Sequence, residues 1–170
     1  MYTVPKPVLR ERLSRIKLLA LDVDGVLTDG GLYYTDTGIE LKRFNAKDGQ
    51  GIQMVMKAGI RVAIVTTTTS RAVVHRAQRL GVRYVFTGIE DKLTVLKDLC
   101  NQLKITLAQV AYVGDDIIDL PILKIVGCPL TVADAMPENQ DSAIYITRLA
   151  GGQGCVREIC NILLEAHAKA

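Results

Sequence analysis

Six short apolar runs separated by segments of helical spacing or turns constrain this chain's fold more than any other feature. They are Ile16 to Val23 (IKLLALDV), Ile60 to Val65 (IRVAIV), Arg83 to Phe86 (RYVF), Gln109 to Val113 (QVAYV), Pro129 to Val132 (PLTV) and Ala143 to Ile146 (AIYI). Runs that are apolar throughout, rather than at alternate positions, are expected of strands covered on both faces, as in a parallel sheet. Between them, Ile52, Val55 and Met56, then Val73, Val74, Ala77 and Leu80, then Leu93, Leu96, Leu99, Cys100 and Leu103 recur at helical spacing. Ser70 and Gly81 are the N-cap and C-cap candidates of the second of these helices, and Asp91 stands at the start of the third. A last amphipathic helix is predicted from about Val156 to Ala166. Strand alternating with helix predicts an α/β fold, an open parallel sheet with helices on both faces.

One stretch departs from this pattern. Gly30 to Phe44 (GGLYYTDTGIELKRF) holds two β-prone runs around Asp36-Thr37-Gly38 and reads as a β-hairpin inserted after the first strand. It would stand at the carboxyl edge of the sheet, where α/β proteins bind ligands. Leu32, Tyr33, Tyr34, Ile39 and Leu41 give it apolar groups on both faces, suited to covering a site or meeting another subunit.

The 170 residues, 49% of them apolar, suit a single domain over residues 1–170. Lys and Arg total 21 against 18 for Asp and Glu, too even a balance, and too scattered a set, for a nucleic acid partner. The first 17 residues lack the apolar core of a signal peptide, and no apolar stretch is long enough to cross a bilayer, so a cytoplasmic location is expected. Cys100, Cys128, Cys155 and Cys160 show no C-x-x-C spacing and are expected as free thiols. The two histidines, His75 and His167, read as an exposed helix residue and a solvated tail residue.

Chemistry concentrates at strand ends. Leu18 to Gly30 (LLALDVDGVLTDG) ends a buried strand in two carboxylates two apart. In an extended chain Asp22 and Asp24 would point the same way, a costly pairing that a hard, oxygen-preferring cation such as Mg2+ relieves. One carboxylate is then suited to nucleophilic attack on phosphorus and the other to acid and base work, while Gly25 lets the backbone turn beneath the phosphate. Ala111 to Pro121 (AYVGDDIIDLP) places Asp115 and Asp116 after the fourth strand. If the first and fourth strands are neighbours, Asp115 completes the metal site, and Asp119 caps the helix begun by Ile117 and Ile118. The second strand ends in Thr66 to Thr69, with Thr66 the best placed to cradle phosphate at a helix N-terminus. Lys92 opens a helix, a position the dipole disfavours for a cation, which suggests that its charge is used on a phosphoryl group.

The order D-x-D-G, Thr, Lys, G-D-D-x-x-D resembles the motif set of the haloacid dehalogenase superfamily of phosphotransferases. DVDGVLTDGGLYY, AKDGQGIQMV, GDDIIDLP, VADAMPEN and GGQGCVRE resemble more narrowly its capless branch, typified by 3-deoxy-D-manno-octulosonate 8-phosphate phosphatase. The resemblance implies a Rossmann-like fold without a cap domain, Asp22 as nucleophile, and Asp24 as acid and base whose backbone carbonyl also meets magnesium. It implies Asp115 as a metal ligand, Thr66 and Lys92 on phosphate, and Gly25, Thr67, Asp116 and Arg157 around the substrate. It further implies a small sugar-phosphate substrate and a homotetramer in which a neighbouring subunit closes each active site. The chain departs from the family in carrying Thr66-Thr67-Thr68 where Ser-Gly-Arg is usual, and in a short tail after the last helix, Glu165 to Ala170.

Three other readings stand beside this one: a phosphatase of a nine-carbon nonulosonate 9-phosphate, a catalytically weak oligomerisation or regulatory domain, and a receiver-like phosphoacceptor. Retention of Asp22, Asp24, Lys92 and Asp115 argues against the second. A second acid at Asp24 argues for hydrolysis over the third.

Overall fold

The computed structural model describes residue 1 and residues 3–168, so Lys169 and Ala170 of the short tail lie outside the described residues. In chain order the elements are α1 (Lys6–Ser14), β1 (Leu18–Leu21), β2 (Tyr33–Tyr34), β3 (Glu40–Leu41), α2 (Ala46–Lys57), β4 (Arg61–Val65), α3 (Arg71–Leu80), β5 (Tyr84–Phe86), α4 (Lys92–Leu103), β6 (Val110–Val113), α5 (Leu120–Leu123), β7 (Cys128–Thr131), α6 (Pro137–Ser142), β8 (Tyr145–Ile146) and α7 (Cys155–His167). Six strands form one sheet in the order β5-β4-β1-β6-β7-β8, every pairing parallel. All six apolar runs have become its strands, and β2 and β3 form the expected hairpin, with Tyr33 opposite Leu41.

The pleat explains why those runs had to be apolar at every position. Leu19, Leu21, Val62, Ile64, Ala111 and Val113 face one core, with the buried residues of α1, α2, α3 and α7. Their neighbours Leu18, Ala20, Ala63, Val65, Val110 and Tyr112 face the other, with α4 and α5. The chain runs outward from β1 in both directions, so the crevice at the carboxyl ends of β1, β4 and β6 is the topological switch point, where such sheets take their ligands.

Several local expectations need amendment. α1 was not foreseen, because its exposed faces are charged and only Leu9 and Leu13 are buried. Ser70 holds the N-cap position of α3 without a side-chain bond, whereas Gly81 ends that helix at φ +80° as its lack of a Cβ allows. Asp91 does cap α4, accepting from the Thr94 N–H at 3.0 Å. His75 is exposed, but His167 is not a solvated tail residue. It closes α7 half-buried, its Nε2 out of reach of solvent and without a hydrogen-bond partner. The four cysteines are free and buried, and burial is the main cause that pushes the thiols of Cys128, Cys155 and Cys160 up to about 12. No helix among the described residues is long and apolar enough to cross a membrane.

The start of α7 is capped from a distance. Gly154 at its N-cap has no side chain, and Asp48 of α2 accepts from the Arg157 N–H at 2.8 Å, with the Gly154 and Val156 N–H groups facing the same carboxylate. Asp48→Ala is expected to lower the melting temperature by about 3–6 °C, the loss of one helix cap. Asp48→Asn, which keeps an acceptor and removes a charge that burial disfavours, should change it little. Thermal unfolding of both variants checks this.

Candidate active site

Asp22 follows the last residue of β1. Its N–H donates to Val113 O of β6 at 3.0 Å, and its Oδ1 accepts from the Val23 N–H at 2.7 Å, so both backbone and side chain are fixed. From the other face Lys92, the first residue of α4, reaches the same crevice. Its Nζ donates to Asp22 Oδ2 at 2.6 Å and to Asp119 Oδ1 at 2.8 Å. All three residues are buried, at 6% exposure for Asp22, 2% for Lys92 and 0% for Asp119. Burial opposes the Lys92 charge, yet the two carboxylates outweigh it and hold the ammonium above its ordinary value. The lysine at the helix start is therefore no surface residue.

Asp119 does more than the capping expected of it. The turn it was expected to cap, Ile117–Asp119, is a 3-10 helix capped by Asp116, whose Oδ1 accepts from the Ile117 N–H at 2.6 Å. Asp119 completes that cap, its Oδ2 accepting from the Asp116 N–H at 3.5 Å, but it also accepts from Lys92, from the Tyr112 hydroxyl at 2.6 Å and from the Asp115 N–H at 3.2 Å. It positions the lysine and the Asp115 loop together. Gly114 makes room for it, since a Cβ there would stand 2.4 Å from the Asp119 carboxyl carbon.

β1 and β6 are neighbours, as the sequence argument required, and they bring Asp115 to Asp22. Carboxylate oxygens of Asp22, Asp115 and Asp119 lie within 4.8 Å of one another. Burial chiefly, then the charge of Asp119, pushes the Asp22 carboxyl up to about 6 against the pull of Lys92. Burial chiefly, then the charges of Asp22, Asp119 and Asp116, pushes Asp115 up to about 7. Asp115 Oδ1 is buried without a partner. A buried acceptor left unpaired among like charges is what a bound cation corrects, and an all-oxygen donor set suits a hard divalent ion such as Mg2+. Gly25 is fixed by the same cluster, for at φ +78° a Cβ would lie 1.9 Å from Asp115 Oδ2.

Like charges without a counter-ion cost stability. Below about pH 4 the Asp115 carboxyl is protonated folded and unfolded alike, so it imposes no penalty; the penalty grows as pH rises through 4 to 7, where only the unfolded chain ionises freely. In the presence of chelator, Asp115→Asn is expected to match the parent near pH 4 and to melt several degrees higher above pH 7. Magnesium should narrow that gap by raising the parent. Thermal melts across pH with and without the ion check the sign.

The extended chain stops at Leu21 and turns, with Val26 N–H bonded to Val23 O at 3.2 Å, and Asp24 is not one of the three grouped carboxylates. Its carboxylate meets Lys42 of the hairpin at 2.6 Å and the Thr28 hydroxyl at 3.4 Å. Thr66 follows the last residue of β4, buried, its Oγ1 accepting from the Thr68 N–H at 3.3 Å. The Thr68 hydroxyl accepts from the Ser70 N–H at 3.4 Å, so the threonine run has a structural motive that the sequence did not show. Thr67 is exposed. Arg157 is not brought to the cluster: its Nε donates to Asn161 at 2.9 Å, and it lines a separate groove with Lys47, Arg148 and Gln153.

Comparison with known proteins decides the family. Residues 88–159 match the haloacid dehalogenase-like hydrolase family. The 3-deoxy-D-manno-octulosonate 8-phosphate phosphatase KdsC of Escherichia coli K12 is 46% identical over 158 residues, covering 93% of this chain and 84% of that protein. The chain belongs to the haloacid dehalogenase superfamily. Among solved structures of this superfamily, the 3-deoxy-D-manno-octulosonate 8-phosphate phosphatase of Moraxella catarrhalis, bound to magnesium, phosphate and 3-deoxy-D-manno-octulosonate (KDO), superposes with a TM-score of 0.95 at 38% identity, over 97% of this chain and 95% of that one. A probable YrbI family phosphatase of Pseudomonas syringae gives 0.93 at 44% identity, over 95% and 92%. The Rossmann-like sheet without a cap domain is thus the fold of this capless haloacid dehalogenase branch, and the chain is an enzyme of that superfamily.

Proposed function

We propose that this hydrolase removes phosphate from a small sugar-acid phosphate, 3-deoxy-D-manno-octulosonate 8-phosphate, through an aspartyl-phosphate on Asp22. One observation carries the reading: a buried Asp22 held against the Lys92 ammonium at 2.6 Å, with the Asp115 and Asp119 carboxylates within 4.8 Å. The substrate assignment is supported by the likeness to the E. coli and M. catarrhalis phosphatases.

Asp22, Asp115 and the backbone carbonyl of Asp24 would hold Mg2+, which when bound would offset the negative charge shared by carboxylates and phosphate. Thr66 and Lys92 bind the phosphoryl oxygens, Lys92 being kept in place by Asp119. Asp22 attacks phosphorus as the bond to the sugar oxygen breaks, and Asp24 gives that oxygen its proton. Water then attacks the acyl phosphate, Asp24 takes the proton, and inorganic phosphate leaves with Asp22 restored. Gly25, Thr67, Asp116 and Arg157 are proposed around the substrate, Arg157 from its own groove. Leu32, Tyr33, Tyr34, Ile39 and Leu41 of the hairpin, 43% to 66% exposed, support a homotetramer in which a second copy covers this apolar face and closes the site.

Phosphate release measured with magnesium over a panel of sugar phosphates tests the proposal. The eight-carbon keto-acid phosphate is expected to be preferred by at least about tenfold in kcat/KM, roughly 1.4 kcal/mol of transition-state discrimination, and chelation to stop release. A preference for the nine-carbon nonulosonate 9-phosphate would move the substrate. Negligible release on every member would end the phosphatase reading.

A further inference from the structure

The carboxyl that the proposed reaction uses as acid and base is held by a residue outside every motif. We propose that Lys42, on the hairpin, is a positioning residue that fixes the Asp24 carboxyl for proton transfer, which makes the hairpin part of the catalytic apparatus and not only a docking surface. The inference rests on the reading of Asp24 as acid and base.

The geometry carries it. Lys42 Nζ lies 2.6 Å from Asp24 Oδ1 and 2.8 Å from Glu40 Oε1, and its side chain is 2% exposed. An ammonium is not withdrawn from water for one loose surface contact, since its desolvation must be matched by close opposite charge. Here two carboxylates supply it, and they hold the Lys42 charge above its ordinary value although burial opposes it. The Asp24 side chain is 38% exposed, and its other contact, the Thr28 hydroxyl, is long at 3.4 Å. Lys42 is therefore the close contact that orients it. The placement follows from the hairpin register: Glu40 pairs with Tyr34 and Leu41 with Tyr33, so Lys42 is the first residue past the ladder, where the chain returns toward β1. A second link ties the same hairpin to the turn after Asp24, for Asp29 accepts from the Tyr33 hydroxyl at 2.8 Å and pairs with Arg43 at 3.3 Å. Hairpin and acid are thus one mechanical unit, and misplacing a proton donor by about an ångström costs as much as 10²-fold in rate.

The test is a double-mutant cycle with two substrates, the eight-carbon sugar phosphate, whose alkoxide leaving group needs a proton, and p-nitrophenyl phosphate, whose leaving group does not. Lys42→Met is expected to lower kcat on the sugar phosphate by about 10- to 100-fold with KM within a few-fold, and to spare the single-turnover burst of p-nitrophenolate. Lys42→Arg should recover most of the loss. In an Asp24→Asn background Lys42→Met should cost less than about threefold, because the group it positions is already gone. Should Lys42→Met fail to fold, Lys42→Gln, which still donates a hydrogen bond but carries no charge, gives the same readouts. An unchanged kcat on the sugar phosphate, a p-nitrophenolate burst slowed as much as that kcat, or an undiminished loss in the Asp24→Asn background would overturn the proposal. The underlying reading fails separately, if Asp24→Asn turns over the sugar phosphate at the parent rate.

Discussion

Asp22→Asn is expected to lower steady-state phosphate release by on the order of four to six decades while the protein melts at or above the temperature of its parent. The two halves have one cause. An amide has no charge with which to attack phosphorus, so the proposed covalent step cannot start. The amide oxygen can still accept from Lys92 at the place where Asp22 Oδ2 now does, at 2.6 Å, and the loss to local packing is the Val23 N–H bond to Oδ1. Burial already pushes the Asp22 carboxyl up to about 6, so the metal-free fold carries a penalty relative to the unfolded chain that grows from about pH 4 to 6 and persists above it, where the carboxylate is ionised in both states, and an amide removes that penalty. Activity assays with thermal melts in chelator separate this outcome from unfolding. A variant that loses activity by melting below 37 °C would contradict the account of the site's electrostatics.

Lys92→Met is expected to have the larger effect on stability. The ammonium is the only cation that hydrogen-bonds Asp22 and Asp119 among the described residues, and removing it leaves the fully buried Asp119 with an uncompensated charge. Loss of one partner of a buried pair costs about 3–5 kcal/mol, enough to lower the denaturant midpoint of a domain this size markedly. Lys92→Arg should not restore it, because a planar fork cannot point at two carboxylates that a compact ammonium reaches at 2.6 and 2.8 Å. Urea unfolding at neutral pH measures the loss. Lowering the pH toward 4 should shrink it, since Asp22 and Asp115 then lose their charge through protonation.

The strands were legible because a strand buried on both faces must be apolar at consecutive positions, and Leu18 to Leu21 and Arg61 to Val65 carry that signature plainly. α1 was not, since a helix that buries only Leu9 and Leu13 leaves too narrow a stripe to stand out. α6, with the sequence PENQDS, has no apolar period at all. The site divides in the same way. That Asp22, Lys92 and Asp115 would come together was legible because each stands at the carboxyl end of an apolar strand or the start of a helix. Asp119 was read only as a cap because its other partners, Lys92 and Tyr112, are reached only through the fold; the Asp119 to Lys92 bond spans 27 residues of chain. Lys42 was hidden in the same sense, being one charged residue in a hairpin whose apolar neighbours drew the attention. Spacing predicts what lies on one element; it is silent on which element a long side chain will cross to meet.

The central claim is that Asp22 becomes phosphorylated during turnover. Acid quench of the enzyme within its first turnover on substrate labelled at phosphorus, followed by peptide mapping, tests it directly. The account predicts label in the peptide Leu18 to Gly30, rising and falling at rates that support steady-state turnover and absent from Asp22→Asn. Phosphate release at the parent rate with no label on Asp22 at any time would contradict it.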